Sequence, residues 1–192
     1  MDLSLNEEQS MIQDMARKFA VSELAPVAER LDQENDRGTL LANLKKLAEL
    51  GFMGINIDAD YGGTDAGSIA FSLAITEIAR GCASTAVTTS VTNMVAEVIQ
   101  AVGNEKQKNN YLPKICSGEY SAGAFCLTEV SAGSDPSAMR TCAVKEGDEW
   151  VLNGIKQFIT SGEYAGLFVV WAVTDKSLPK GKGISCFLVE AN

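Results

Sequence analysis

Two short polar stretches in the second half of the chain carry side chains that could do chemistry. The first, Phe125–Asp135, begins apolar, becomes polar at Thr128 and Glu129, and ends in glycine, serine and aspartate. The second, Phe158–Gly162, follows later and also ends in hydroxyl side chains and glycine. Hydroxyl groups donate hydrogen bonds, and small residues allow close backbone approach to a phosphate. Taken alone, a Gly-Ser-Asp sequence is most often a plain turn.

The composition excludes several kinds of chemistry. The chain has 192 residues and no histidine, which removes Ser-His-Asp catalysis and the commonest transition-metal ligand. Its 5 cysteines form no C-x-x-C, so we expect free, mostly buried thiols in a reducing compartment. Nucleotide-binding glycine motifs and the G-x-S-x-G motif are missing from the sequence. The net charge of −9 argues against nucleic acid or an anionic membrane as the main partner.

Neither a targeting signal nor a membrane span is expected. Residues 1–8 are acidic and polar, whereas a secretory signal begins basic and continues apolar. The longest apolar-biased run, Ala83–Val102, is interrupted by Asn93 and Glu97. It therefore predicts a buried helix.

The first 118 residues have the apolar spacing of helices. Asn6 and Gln9 predict a capping box, and Gly51 predicts a left-handed cap. Ser68 is expected to cap a helix that Gly81 closes. Pro26 is expected to kink or restart an early helix.

The long helix Ala83–Val102 is apolar on nearly all sides, so we expect protein around all of it. Core packing is favoured there over lining a ligand. A short polar helix, Asn104–Tyr111, is expected before Pro113.

Residues 119–192 have the shorter period of strands. Asn153-Gly154 is the strongest hairpin signal and predicts a following strand over Ile155–Ile159. Leu167–Val173 predicts a strand buried on both faces, and Ile184–Val189 predicts a last strand. The fold class is therefore α+β and multidomain: a helical domain, residues 1–118, followed by a truncated antiparallel β-barrel or sandwich, residues 119–192. Its last edge and apolar face are expected to lie open.

The order of several motifs resembles that of the acyl-CoA dehydrogenase family of flavoproteins. The resemblance covers the whole chain and is carried by Asn6–Gln9, Tyr61-Gly62-Gly63, Gly103–Lys108 with Tyr111–Pro113, Phe125–Asp135 and Leu152–Lys156. It implies the N-terminal helical domain and part of the middle β domain. On this resemblance, the C-terminal helical domain of the family is expected to lie outside these 192 residues.

The resemblance implies FAD as cofactor. The implied cofactor-binding residues are Phe125, Cys126, Leu127, Thr128, Gly133, Ser134, Phe158, Ile159 and Thr160. Thr128 would bond the pyrimidine side of the flavin, and Thr160 would lie near N5. Ser134 would also bind the acyl-CoA substrate.

The implied reaction is α,β-dehydrogenation of an acyl-CoA to the trans-2-enoyl-CoA, in fatty acid or amino acid catabolism. A hydride passes to flavin N5, and electrons pass on to an electron-transferring flavoprotein. The base of the family lies in, or is presented by, the later helical domain, so no catalytic residue is assigned in this chain. Glu129 lies in the motif, but the resemblance makes it part of the loop framework.

Two positions depart from the family pattern: Val130 stands where proline is common, and Phe158 where tryptophan is common. Phe158 keeps a stacking surface but loses an indole N–H. Neither change overturns FAD binding, although both weaken any inference about substrate class. Val87, Ser90 and Met94 are candidates for lining the acyl tail, with core packing favoured for each.

The implied partners are an acyl-CoA, an electron-transferring flavoprotein and further copies in a homotetramer. The implied location is bacterial cytoplasm, or the mitochondrial matrix after loss of a transit peptide. Two alternatives stay open. One is a flavin monooxygenase or acyl-CoA oxidase of the same architecture, and the other is a non-catalytic assembly module.

Overall fold

A computed structural model describes residues 4–191. The chain forms two compact units, Met1–Gly123 and Ala124–Asn192. The first unit is helical, and the second is built on an open sheet, so the predicted order of helices and then strands is confirmed. The outermost ends of the predicted domains, Met1 and Asn192, lie outside the described residues.

The described part of the first unit holds six α-helices, and the break between the first two contains a proline. They are α1 Glu7–Phe19, α2 Ala28–Glu34, α3 Arg37–Glu49, α4 Gly67–Gly81, α5 Ala83–Val102 and α6 Glu105–Cys116. Between α1 and α2 the chain makes a π turn and then a 3-10 turn that contains Pro26. Proline has no N–H to donate, so the predicted restart at Pro26 is confirmed. None of the described helices is long and apolar enough to cross a membrane.

Helix ends were predicted with mixed success. The capping box is confirmed, because Asn6 Oδ1 accepts from the Gln9 N–H at 2.8 Å and Gln9 Oε1 accepts from the Asn6 N–H at 3.1 Å. Gly51, with φ of 82°, confirms the left-handed cap. The predicted Ser68 cap is wrong, since α4 begins one residue earlier, at Gly67.

Helix α6 runs through Pro113 instead of ending before it. The last turn carries the buried side chains of Leu112, Ile115 and Cys116. Burial of each large apolar side chain is worth about 1.5–3 kcal/mol. This burial offsets the backbone hydrogen bond that proline cannot make.

Helix α5 buries a face lined by threonine. Thr89 and Thr92 donate their hydroxyls to the carbonyls of Thr85 and Thr88, at 2.9 and 2.8 Å. A threonine that bonds its own helix can enter a core without an unsatisfied hydroxyl. The buried face of α5 is therefore rich in threonine and holds few large apolar side chains.

The opposite face of α5 is more exposed. Val87 is 51% exposed and Met94 37%, and Ser90 is half-buried. The expectation that protein surrounds all of α5 is thus wrong for the described chain. The preference for core packing at Val87 and Met94 is wrong for the same reason, because Thr89, Thr92 and their neighbours fill the core instead.

The second unit holds a five-stranded sheet in the order β1-β4-β2-β3, with β5 paired to β4. The strands are β1 Gly123–Cys126, β2 Cys142–Glu146, β3 Glu149–Asn153, β4 Leu167–Val173 and β5 Ile184–Glu190. The β2–β3 and β4–β5 pairs are antiparallel, but β2 and β4 pair in parallel, through Cys142 and Val173. Parallel pairing requires a long connection, and residues 147–166, which include β3, provide it between β2 and β4.

The hairpin turn lies at Gly147-Asp148, since Glu146 pairs with Glu149. The hairpin predicted at Asn153-Gly154 is therefore wrong, and Ile155–Ile159 forms no strand. Gly154 serves close packing: a side chain there would place its Cβ 2.6 Å from the Cα of Thr141.

Strand β4 is buried at Leu167 and Val169 on one face and at Ala172 on the other, and its remaining residues are half-buried. The expectation of a strand buried along both faces is wrong, because each face also carries half-buried residues. The predicted last strand is confirmed as β5. The cysteines are free, and Cys82, Cys116 and Cys126 are buried.

Candidate functional site

The segment Leu127–Asp135, called here the first loop, follows β1 and reverses direction at once. Glu129 and Ala132 exchange two backbone hydrogen bonds of 3.1 Å each, which places Val130 at the tip with 81% of it exposed. A Cβ built on Gly133 would meet no atom within 4 Å. The first loop therefore offers exposed backbone and small side chains, up to Ser134, to a ligand.

The segment Gly154–Gly166, called here the second loop, presents one aromatic ring to solvent. Phe158 is 85% exposed, and its backbone has a positive φ of 57°. A left-handed conformation costs a non-glycine residue about 1–3 kcal/mol and is found most often at functional sites. An exposed aromatic side chain on such a backbone is typical of a residue that contacts a ligand.

Three contacts join the two loops. The Gln157 N–H donates to the Thr128 carbonyl at 2.9 Å. The ammonium group of Lys156 donates to the Leu127 carbonyl at 3.0 Å and to Glu129 Oε1 at 2.9 Å. The structure thus brings together the two stretches that the sequence predicted to share a site.

The carboxylate of Glu129 is buried and fully engaged. Besides Lys156, it accepts from the Arg140 N–H at 2.6 Å and from the Thr141 N–H at 2.9 Å. Burial alone would raise the pKa of Glu129, but the donors on Thr141, Arg140 and Lys156 lower it to about 2. A carboxylate with so low a pKa is a weak base. Its environment makes Glu129 an anchor for the first loop.

Two of the predicted cofactor residues turn their side chains into the core. Cys126 is buried beside Ala124 and Ala165, and Ile159 packs against the same cluster. Burial raises the pKa of the Cys126 thiol to about 11, so this thiol is unreactive. Cys126 and Ile159 can therefore contact a ligand through their backbone groups.

The other predicted residues lie nearer the surface. Leu127, Thr128 and Thr160 are half-buried, while Gly133 and Ser134 are exposed. The half-buried ring of Phe125 lies 6.1 Å from the ring of Trp171 in a tilted arrangement. Their roles toward a cofactor stay predictions.

Lys156 and Gln157 are the residues whose part in the site the sequence did not reveal. Lys156 stood in a recognised motif without a role, and Gln157 was placed in a strand. The partner of Lys156 lies 27 positions away, at Glu129, so local spacing gives no signal of the pair. The opposite charges of Glu129 in the first stretch and Lys156 just before the second were the available hint.

The comparisons with known proteins place this arrangement in a class. Residues 6–119 match the model of the acyl-CoA dehydrogenase N-terminal domain, and residues 124–192 match the model of the acyl-CoA dehydrogenase middle domain. The chain therefore belongs to the acyl-CoA dehydrogenase family, as the sequence resemblance indicated.

Its curated relatives are bacterial and mitochondrial proteins. The chain is 41% identical over 192 residues to the short-chain specific acyl-CoA dehydrogenase of Clostridium acetobutylicum, covering 99% of this chain and 49% of the relative. It is 40% identical to the acryloyl-CoA reductase (NADH) of Anaerotignum propionicum, over 99% of this chain and 48% of that one. The chain spans about half the length of the curated relatives it matches.

Solved structures agree with the fold. Butyryl-CoA dehydrogenase from Megasphaera elsdenii matches with a TM-score of 0.87 and 36% identity, over 99% of this chain and 50% of that one. A structure from work on the electron transferring flavoprotein of Acidaminococcus fermentans matches with a TM-score of 0.92 and 42% identity. The match covers 100% of this chain and 50% of that one. A glutaryl-CoA dehydrogenase of Mycobacterium smegmatis in complex with FADH2 matches with a TM-score of 0.85 and 32% identity. The match covers 97% of this chain and 46% of that one.

Proposed function

We propose that this chain supplies one wall of the FAD site, and part of the acyl-CoA site, of an acyl-CoA dehydrogenase. The observation that carries the proposal is Phe158. Its ring is 85% exposed on a left-handed backbone, and Gln157 beside it bonds the carbonyl of Thr128. An exposed aromatic ring that its backbone neighbours hold in place offers a flat apolar surface. An aromatic ligand that stacks on this ring removes that surface from water.

The residues present fit a flavin and a phosphate. The ring of Phe158 offers an apolar plane, and Thr128 and Thr160 carry hydroxyl groups on the two joined loops. The open space around Gly133 admits a phosphate close to the backbone. When bound, FAD supplies a hydride acceptor and a route for electrons to an electron-transferring flavoprotein.

The chain's own residues would bind and orient in this reaction. Thr128 would donate to the pyrimidine edge, where reduced flavin is negatively charged, and Thr160 would donate at N5. Ser134 would bind both the cofactor and the acyl-CoA. We assign no catalytic base to residues 4–191, because the motif carboxylate, Glu129, is held by three donors.

Titration of FAD into the purified chain, followed by flavin fluorescence, tests the cofactor assignment. We expect saturable uptake of one FAD per chain and a yellow protein whose flavin is released on denaturation. Riboflavin, which lacks the phosphates, is the matched control and is expected to bind more weakly. A colourless protein that takes up no added FAD would sink the proposal for this chain alone.

The direction of the reaction is a second question, raised by the relative that is an acryloyl-CoA reductase (NADH). The same residues would serve the reverse reaction, reduction of an enoyl-CoA. Anaerobic mixing of the FAD-loaded enzyme with a saturated acyl-CoA, or with an enoyl-CoA and NADH, separates the two. Rapid reoxidation by oxygen would instead indicate an oxidase or monooxygenase. The electron-transferring flavoprotein and a homotetrameric assembly are the partners we propose for the dehydrogenase.

A further inference from the structure

We propose that Lys156 is a positioning residue that holds the first and second loops together as one unit. This linkage sets where Phe158 and Thr160 lie relative to Thr128. Its effect on cofactor binding rests on the proposed function. The linkage itself is a property of this chain.

The contacts of Lys156 account for all of its donors. The side chain is 10% exposed, and its ammonium group lies 3.0 Å from the Leu127 carbonyl, 2.9 Å from Glu129 Oε1 and 3.9 Å from Met139 Sδ. An ammonium group has three N–H donors, and each acceptor comes from a different part of the chain. Lys156 thus ties the second loop to the end of β1, to the turn of the first loop and to the segment before β2.

Glu129 extends the linkage to β2. The carboxylate accepts the N–H groups of Arg140 and Thr141, and Thr141 immediately precedes β2. Through this one carboxylate, Lys156 is connected to the sheet. The second loop has no strand of its own in the described chain between β3 and β4, so these polar contacts replace sheet hydrogen bonds.

The location of the Lys156–Glu129 ion pair indicates that it positions the two loops more than it stabilises the fold. A buried ion pair is often no more stabilising than an apolar pair of the same size, because both charges lose their hydration. This pair lies where two loops meet, two residues before Phe158 in the chain. The strained backbone of Phe158 requires fixed neighbours, and Lys156 and Gln157 are the ones bonded to the first loop.

The test compares the double variant Glu129→Gln/Lys156→Met with Lys145→Met, a matched loss of an exposed lysine on β2. The double variant removes both charges, so no unpaired charge is left buried. Hydrogen exchange of the Gln157 amide reports the linkage, and amides of the β4–β5 ladder report global stability. FAD titration reports the consequence for the cofactor.

We expect the Gln157 amide to exchange about tenfold faster or more in the double variant, since hydrogen bonds to charged groups are worth at least that factor. Exchange in the β4–β5 ladder should stay unchanged, and FAD should dissociate several-fold more readily. Lys145→Met should match the unsubstituted protein in Gln157 exchange, in exchange of the β4–β5 ladder and in FAD dissociation. Should the double variant fail to fold, Lys156→Gln is measured instead, because its shorter side chain cannot reach all three acceptors.

The proposal is overturned if Gln157 stays protected, or if Gln157 and the ladder amides accelerate together, which would show a merely structural role. If the unsubstituted protein takes up no FAD, the proposed function fails. The exchange of Gln157 then still decides whether Lys156 links the two loops.

Discussion

At the level of single residues, Glu129 shows burial and hydrogen bonding acting on one carboxylate in opposite directions. Burial raises its pKa, while Thr141, Arg140 and Lys156 lower it, and the outcome is about 2. The carboxylate is therefore a permanent anion at neutral pH. A base for proton abstraction needs a pKa nearer the working pH, so Glu129 is suited to fixing the loop.

Removal of this carboxylate should be costly. Glu129→Ala leaves the ammonium of Lys156 and two backbone N–H groups buried without their acceptor. We expect the free energy of unfolding to fall by about 3 kcal/mol, as for other broken buried pairs. Urea denaturation measures it. Glu146→Ala, at an exposed site on β2, should change it by less than about 0.5 kcal/mol.

The same carboxylate predicts a dependence on pH. Because its folded-state pKa of about 2 lies below the ordinary 4.5, its contribution is complete above that ordinary value. The contribution is lost as pH falls from the ordinary value to the folded one. The difference in unfolding free energy between the unsubstituted protein and Glu129→Gln should therefore shrink with acidification in that window. A difference that stays constant would contradict the low pKa.

Phe158 should matter for binding far more than for folding. Its side chain is 85% exposed, so Phe158→Ala should alter the unfolding free energy by less than about 0.5 kcal/mol. The FAD dissociation constant should rise several-fold to about tenfold, because the stacking plane is lost. Leu178→Ala, an exposed apolar residue in the β4–β5 loop, is the control for loss of surface area. Equal effects of both variants on FAD would count against stacking.

At the level of secondary-structure elements, the amide of Asn93 is a buried tie between α5 and the rest of its unit. Asn93 accepts from the Ile55 N–H and donates to the carbonyls of Phe52 and Thr89, each at 2.9 Å. Phe52 and Ile55 are almost completely buried, in the segment that follows α3. Asn93 thus satisfies backbone groups of an irregular segment that has no strand or helix to do so.

Asn93→Ala should leave an N–H and a carbonyl buried without partners. We expect a loss of about 2 kcal/mol or more in unfolding free energy. Thermal and urea denaturation of the variant check this, with the exposed Asn110→Ala as control. A loss no larger than that of Asn110→Ala would show that water or another group takes over both bonds.

How well the sequence predicted an element depended on whether its signal was local. The Asn6–Gln9 capping box and the Gly51 cap are local, and both were predicted. The hairpin was misplaced because Gly147-Asp148 and Asn153-Gly154 are both good turns, and cross-strand pairing chose the first. The exposed face of α5 was missed because it carries apolar residues such as Val87 and Met94, whereas Thr89 and Thr92 on the buried face bond within the helix.

At the level of the whole molecule, the chain consists of two compact units. It spans about half the length of its relatives. The order of motifs along it was sufficient to predict the family and the two stretches of the candidate site. The contacts that join those stretches could not be predicted, because Lys156 and Glu129 meet through the fold and not through spacing.

FAD should stabilise the second unit by an amount that grows with the logarithm of its free concentration. A ligand at 100 times its dissociation constant adds about 2.7 kcal/mol to the folded state. We expect the melting temperature of the second unit to rise with added FAD, with slower hydrogen exchange at Gln157 and at the first loop. Riboflavin at equal concentration is the control, and an unchanged melting curve would contradict FAD binding by this chain.

The packing of Phe125 on Trp171 has an optical consequence. The chain has 2 tryptophans, and the other, Trp150, lies on β3 against Phe187. Replacement of Trp150 by phenylalanine leaves one indole, on the strand next to the start of the first loop. The emission of Trp171 then becomes a built-in reporter, quenched by energy transfer when a flavin chromophore binds nearby. Cofactor uptake can be followed in real time without any label attached to the protein.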